Sequence, residues 1–208
     1  VRDVFADLLF PGTSTIQTRA RYFLFVPWVY KRLERKKTGS DDIERCARRD
    51  EVRLIGVLSV GEDADGVIGI QAQESLKRLP SNVYWNGLKL LGIRNFSGPQ
   101  SQYHLSLDRF YAGNKENPDP DGDDYFSQAP TRNWHGGLPA PPGDFPKEGD
   151  LSLRRIEAEY LRERILKKVP GTLFEFYAKN IEGLDAWPDE SETTPFFWDL
   201  DFNGIGQE

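Results

Sequence analysis

The stretch Arg19-Ala20-Arg21-Tyr22-Phe23-Leu24-Phe25-Val26-Pro27-Trp28-Val29-Tyr30-Lys31-Arg32-Leu33-Glu34-Arg35-Lys36-Lys37 decides the fold. Its nine-residue apolar run, Tyr22 to Tyr30, is far shorter than the roughly 20 residues needed to span a bilayer. Apolar on every side, it reads as the buried middle of a core helix. Pro27 removes a backbone donor inside that helix and predicts a kink or a break. The tail from Lys31 to Lys37 is basic, which suits a helix C-terminus and predicts an exposed end. Upstream, Ser14 with Gln17 fits a capping box, so the helix is expected to open there with Arg19 and Arg21 pointing outward.

Other helices follow on both sides. Val4, Phe5, Leu8 and Leu9 share one face of a short helix over 2–10, ended by Pro11-Gly12. Asp41 with Glu44 caps a helix carrying Ile43, Ala47, Leu54 and Leu58. Helices are predicted over 67–79, over 83–91 with Ser81-Asn82 as cap and Gly92 as stop, and over 102–111. Residues 93–98 form a connector with room for one short strand or hairpin. Ser152 opens a helix whose buried side is predicted to hold Ile156, Tyr160, Leu161, Ile165 and Val169. Thr172 with Glu175 caps a last short helix. Leu76–Tyr84 and Leu166–Phe174 match position by position, each placing a Pro in a tight turn between two helices, and Leu9–Thr13 is a shorter third copy. Such pairs build DNA-binding folds and ordinary helical bundles alike.

The fold expected is therefore mainly α: an irregular multi-helix bundle with helix-turn-helix-like pairs and one long Pro/Gly-rich loop. That loop, Gly113 to Gly149, holds seven of the 14 prolines and six of the 19 glycines. Trp134 argues that part of it docks, because a large ring contributes most when buried. The expected organisation is a helical domain over 1–112, the loop or linker over 113–150, a helical hairpin over 151–182 and an acidic, aromatic-containing tail over 183–208.

Among 208 residues there is one Cys and there are two His, which excludes an internal disulfide and any Cys-cluster metal site. No cofactor and no metal is expected. Asp119, Asp121, Asp123 and Asp124 start like a calcium loop, but Gly122 is out of register and no Glu closes the site. No phosphate-loop sequence, dinucleotide fingerprint or nucleophile elbow occurs. The first residue is Val1 and no Met occurs, which reads as a fragment or a trimmed chain. With no signal peptide and no membrane span in the sequence, the expectation is a cytoplasmic protein without a membrane partner.

The net charge of −6 hides a polarity. Between Arg19 and Arg53 there are 11 basic and six acidic residues; from Gly183 onward there are seven acids and no Lys or Arg. A basic band in an acidic chain suits phosphate contacts. The candidates are Arg19, Arg21, Lys31, Arg32, Arg35, Lys36 and Lys37, with Arg45, Arg48 and Arg49 on the next helix. The same band also reads as a solvated helix surface. Asn133-Trp134-His135 is a second candidate, because functional groups often sit in loops. No catalytic residue stands out. An active site using His104, His135 and acids is the weakest reading, since few catalytic groups are available.

The segment Arg2-Asp3-Val4-Phe5-Ala6-Asp7-Leu8-Leu9-Phe10-Pro11-Gly12-Thr13, continuing through Ser14 to Trp28, resembles the opening of an uncharacterised bacterial family, domain of unknown function 6361. Leu79-Pro80-Ser81-Asn82-Val83-Tyr84-Trp85, Gln102-Tyr103-His104, Leu107-Asp108-Arg109-Phe110-Tyr111, Asn133-Trp134-His135 and Glu157–Ile165 are similar too. The resemblance covers about residues 2–180 and implies no catalytic residues. Its members, which are longer at both ends, stand beside helicase-like and phospholipase-D-like proteins in presumed phage-defence or DNA-processing loci. Resemblance and basic band together imply an accessory subunit contacting DNA, RNA, or a helicase-like or nuclease-like protein. The alternative is a protein–protein scaffold using the Pro-rich loop and the acidic tail.

Overall fold

Pro27 does not break its helix. In the computed structural model, which describes residues 2–61, 64, 66–70, 76–116 and 132–180, the helix runs unbroken from Tyr22 to Arg35. Seven helices occur among the described residues: α1 (Arg2–Leu9), α2 (Tyr22–Arg35), α3 (Ile43–Ser59), α4 (Pro80–Leu90), α5 (Gln100–Glu116), α6 (Arg155–Lys168) and α7 (Leu173–Lys179). The fold is mainly α. Its one strand-like feature among those residues is a single antiparallel bridge between Arg94 and Trp134, inside the connector where a short strand was expected.

Every residue of α2 from Tyr22 to Tyr30 is buried, as the all-round apolar pattern requires. It packs against α3 and α4, while α6 packs on α7. The core gathers Ile43, Ala47, Leu54 and Leu58 from α3, Tyr84, Trp85 and Leu88 from α4, and Tyr103 and Leu107 from α5. Close approach of α4 to the turn after α1 needs glycine. A Cβ on Gly87 would lie 2.3 Å from the Gly12 carbonyl oxygen.

The described part of the Pro/Gly-rich loop closes this core from outside. Trp134, Leu138, Phe145 and Leu151 are buried. The Trp28 indole N–H donates to the Pro139 carbonyl at 2.7 Å, and Phe145 stands edge-on to Trp28 at 5.4 Å. The Asp119–Asp124 cluster and residues 183–208 lie outside the described residues.

Four local expectations are corrected. First, α2 starts at Tyr22, not near Ser14. The Tyr84 hydroxyl accepts from the Thr18 and Arg19 amides at 3.0 and 3.2 Å and donates to the Arg19 carbonyl at 2.9 Å. Satisfied this way, the backbone before α2 needs no helix.

Second, the helix predicted over 67–79 is absent from its described parts. Residues 67–70 form turns beside Gly66 and Gly69, whose φ values of 82° and 79° are left-handed, and 76–79 are irregular. The Ile68 amide there donates to the Tyr22 hydroxyl at 3.0 Å.

Third, Pro80 is the first residue of α4 rather than part of a loop between helices, so of the two long matching segments only Leu166–Phe174 joins two helices. Fourth, α6 opens at Arg155, and its inward face keeps Tyr160, Leu161 and Val169, with Ile165 packed against the core, but not Ile156. Ile156 is 65% exposed, whereas Glu157 and Arg164 are buried beside Tyr160 and Leu161.

The Thr172–Glu175 cap forms as read: the Glu175 amide donates to Thr172 Oγ1 at 3.2 Å. At Asp42, the N-cap of α3, no side-chain cap forms, and Asp42 pairs with Arg45 instead.

Candidate functional site

The segment Asn133-Trp134-His135 is held at both ends. The Asn95 amide donates to the Asn133 carbonyl and the His135 amide to the Ile93 carbonyl, each at 2.8 Å. Between them Trp134 enters an aromatic cluster with Tyr30, Trp85 and Tyr103, ring centres 5.9–6.0 Å away. Asn133 Nδ2 and Trp134 Nε1 both donate to Glu34 Oε1 at 3.0 Å, and the Tyr103 hydroxyl donates to the same oxygen at 2.5 Å. Burial raises the Glu34 pKa against the pull of these three donors. Glu34 thus ties the loop to α2 and α5.

This tie leaves His135 between two clefts. One, of about 330 Å³, is lined by Lys31, Glu34, Phe110, Arg132, Asn133, Trp134, His135 and Gly136. The other, of about 630 Å³, is lined by Lys89, Gly92, Arg94, Asn95, His135, Arg164, Lys167 and Lys168. Among the described residues, seven cations line the two clefts together, against one carboxylate, Glu34.

Arg164 is buried with no carboxylate partner within 4 Å among the described residues. Its Nε donates to the Leu91 carbonyl at 3.0 Å and its Nη1 to His135 Nε2 at 3.1 Å. A guanidinium only donates, so Nε2 accepts and the His135 proton sits on Nδ1. That Nδ1–H then donates to the Tyr160 hydroxyl at 3.2 Å. Burial, Arg164 and the nearby lysines all hold the His135 pKa below its ordinary value. Arg94 is buried too. It lies over the Trp85 ring at 4.4 Å and donates to the carbonyls of Phe96, Gly98 (2.8 Å) and Trp85 (3.2 Å). Burial lowers its pKa to about 10, which leaves it charged at neutral pH.

The sequence candidates fall into three groups. Arg35, Lys36 and Lys37 are exposed, as expected, and Lys31 is half-buried with its pKa lowered by burial and by the charges of Arg35 and Arg132. Arg32 and Arg49 both pair with Asp50, Arg45 pairs with Asp42 at 2.6 Å, and Arg48 donates to the Leu76 carbonyl at 3.1 Å. Arg19 is half-buried beside Gly66.

Arg21, expected to point outward, is 1% exposed. Its guanidinium bonds Glu157 at 2.8 Å and Asp150 at 2.6 Å, so it belongs to the core rather than to a surface. His104 stacks on Tyr30 with its Nε2 3.1 Å from that hydroxyl, and burial lowers its pKa. No group of three or more His, Cys, Asp or Glu placed to hold a metal ion occurs among the described residues. No helix among them is long and apolar enough to cross a membrane.

The cations that meet at His135 from 89, 94, 164, 167 and 168 escape a reading by charge windows. They come from two segments, 89–94 and 164–168, near in space and about seventy residues apart in sequence. Only Lys167-Lys168, in the last turn of α6, left a local signal.

No curated protein and no solved structure matches the chain. The model of the family of unknown function DUF6361 matches residues 1–194, nearly the whole chain and including every residue of both clefts. The chain therefore belongs to that family.

Proposed function

We propose that the chain contacts the phosphate backbone of DNA or RNA, as an accessory subunit in a DNA-processing or phage-defence system. The observation that carries this reading is the cation excess around His135, seven to one among the lining residues of the two clefts. Lys31 and Arg132 contribute on one side, Lys89, Arg164 and Lys168 on the other, with Arg35 to Lys37 exposed at the end of α2. In a chain of net charge −6, so local an excess attracts a polyanion without reading its sequence.

A salt titration of binding to generic duplex and single-stranded DNA tests it. The expected result is a linear fall of log affinity with log salt. The slope should shrink by roughly 3 when Arg35, Lys36 and Lys37 are all changed to Glu, if each meets one phosphate. Absence of binding at low salt overturns the reading.

A second reading, a protein–protein contact, draws on α1. Val4, Phe5 and Leu8 are 62%, 59% and 63% exposed on that helix. Under this reading, changing Phe5 and Leu8 to Asp abolishes co-purification with a helicase-like partner and leaves DNA affinity unchanged.

A further inference from the structure

We propose that the larger cleft is a binding site for a phosphate monoester, with Arg164 and Lys168 as its direct ligands. The proposal rests on the basic-face reading only for where the phosphate comes from. Two buried guanidiniums, Arg94 at 3% and Arg164 at 5% exposure, meet no carboxylate within 4 Å among the described residues. A guanidinium carries a fixed charge, and no described carboxylate balances either one. Elsewhere this chain supplies the balance itself, with Glu157 and Asp150 at Arg21 and Asp50 at Arg32. At the cleft no described residue does.

The two arginines have different parts. Arg94 is occupied by three carbonyls, and its Nε has no partner, so it adds positive potential from behind the wall. Arg164 uses Nε and Nη1 on the protein. Its Nη2 lies beside Gly92, where an added Cβ would come within 2.6 Å of Nη2 and 2.6 Å of Lys168 Cε. Gly92 has a left-handed φ of 62°, so conformation and space both call for glycine. Its missing side chain leaves room for the Arg164 guanidinium and the Lys168 stem side by side.

Charge selects the ligand. A phosphodiester brings one negative charge and a monoester nearly two at neutral pH. Two direct cationic ligands, with Arg94, Lys89 and Lys167 in the lining around them, match the dianion better. The openness of a cleft of about 630 Å³ admits the rest of the molecule, so the monoester comes either from a 5′-phosphorylated nucleic-acid end or from a free nucleotide.

The experiment compares the full chain's affinity for one oligonucleotide with a 5′-phosphate and with a 5′-hydroxyl, with AMP and inorganic phosphate as competitors. A 5′-phosphate preference of tenfold or more is expected. It should fall to within twofold in Lys168→Gln, an exposed position that does not threaten folding, and persist in Arg155→Gln at the far end of α6. Arg164→Gln repeats the loss if it folds. Tight AMP binding without a preference between the oligonucleotides also supports the site and assigns it to a free nucleotide. Equal affinity for both oligonucleotides, with no binding of AMP or phosphate, overturns it while leaving backbone contact intact. Binding of AMP but of neither oligonucleotide keeps the site and removes the nucleic-acid reading. Equal effects of Lys168→Gln and Arg155→Gln also overturn it.

Discussion

Arg21 and Arg164 are both buried arginines, at 1% and 5% exposure, and both are fixed by α6. Arg21 meets Glu157 from the first turn of that helix; Arg164 leaves from its last turns. The difference lies in what surrounds them. Around Arg21 two carboxylates and a carbonyl take up the charge. Around Arg164 stand a carbonyl, a neutral imidazole and further cations. Burial of a charge is strongly unfavourable unless it is paired, so the first arrangement is complete in itself and the second is not. One end of α6 is built to hold the fold together, the other to receive an anion.

The sharpest break of this comparison is Arg21→Met. It leaves Glu157, 1% exposed, without its cation, and removing one partner of a buried pair costs about 3–5 kcal/mol. The denaturant midpoint should fall accordingly. Restoring balance with Glu157→Leu should recover much of the loss, even though Glu157 Oε2 also accepts the Arg154 amide at the start of α6 (3.0 Å). If the double variant is as unstable as the single one, the pair is not what matters there.

Glu51 sharpens the comparison from the anionic side. It is 1% exposed, its Oε2 accepts the Ser81 amide at 2.8 Å, and its Oε1 has no partner. Unlike an arginine, it can neutralise itself, and burial raises its pKa from 4.5 to about 7. Because the folded state binds this proton more tightly than the unfolded one, the group's stabilising effect is complete below pH 4.5. It is lost as pH rises through 7. The whole window is worth about 3 kcal/mol. Glu51→Gln should flatten that part of the stability profile, gaining most at pH 8 and little at pH 4.5. An unchanged profile would assign the pH dependence to other groups.

The same two ends of α6 show what the sequence reveals and what it hides. The helix was visible from Tyr160, Leu161 and Ile165, as α2 was from its apolar run and α3 from Ile43 to Leu58. The charged share of its inward face was not. Apolar spacing favoured Ile156, yet Glu157 faces the core because Arg21, 136 residues away, waits for it. Periodicity treats a charged residue as a surface residue, and here two charged residues line the buried side. His135 stood out in the sequence because it lies in a loop. Its setting did not, because Lys89, Arg94 and Arg164 belong to no common run of charge. The Ser14–Gln17 motif failed for a related reason. The Tyr84 hydroxyl, more than sixty residues on, satisfies the backbone that a helix would otherwise have paired.

The smallest expected effect bears most directly on the contrast. Arg164→Gln removes a charge-assisted bond to the Leu91 carbonyl, worth about 1.5–3 kcal/mol, but also removes a buried charge that no described carboxylate balances. The two terms oppose each other, so in phosphate-free buffer the variant should lie within about 1 kcal/mol of the parent, far from the loss at Arg21. Added phosphate should then stabilise the parent by RT ln(1 + [L]/Kd), growing with the logarithm of concentration once the site is filled, and leave the variant unmoved. A loss as large as that of Arg21→Met would mean that Arg164 is bound into the fold as tightly as Arg21, and that the two ends of α6 do the same work.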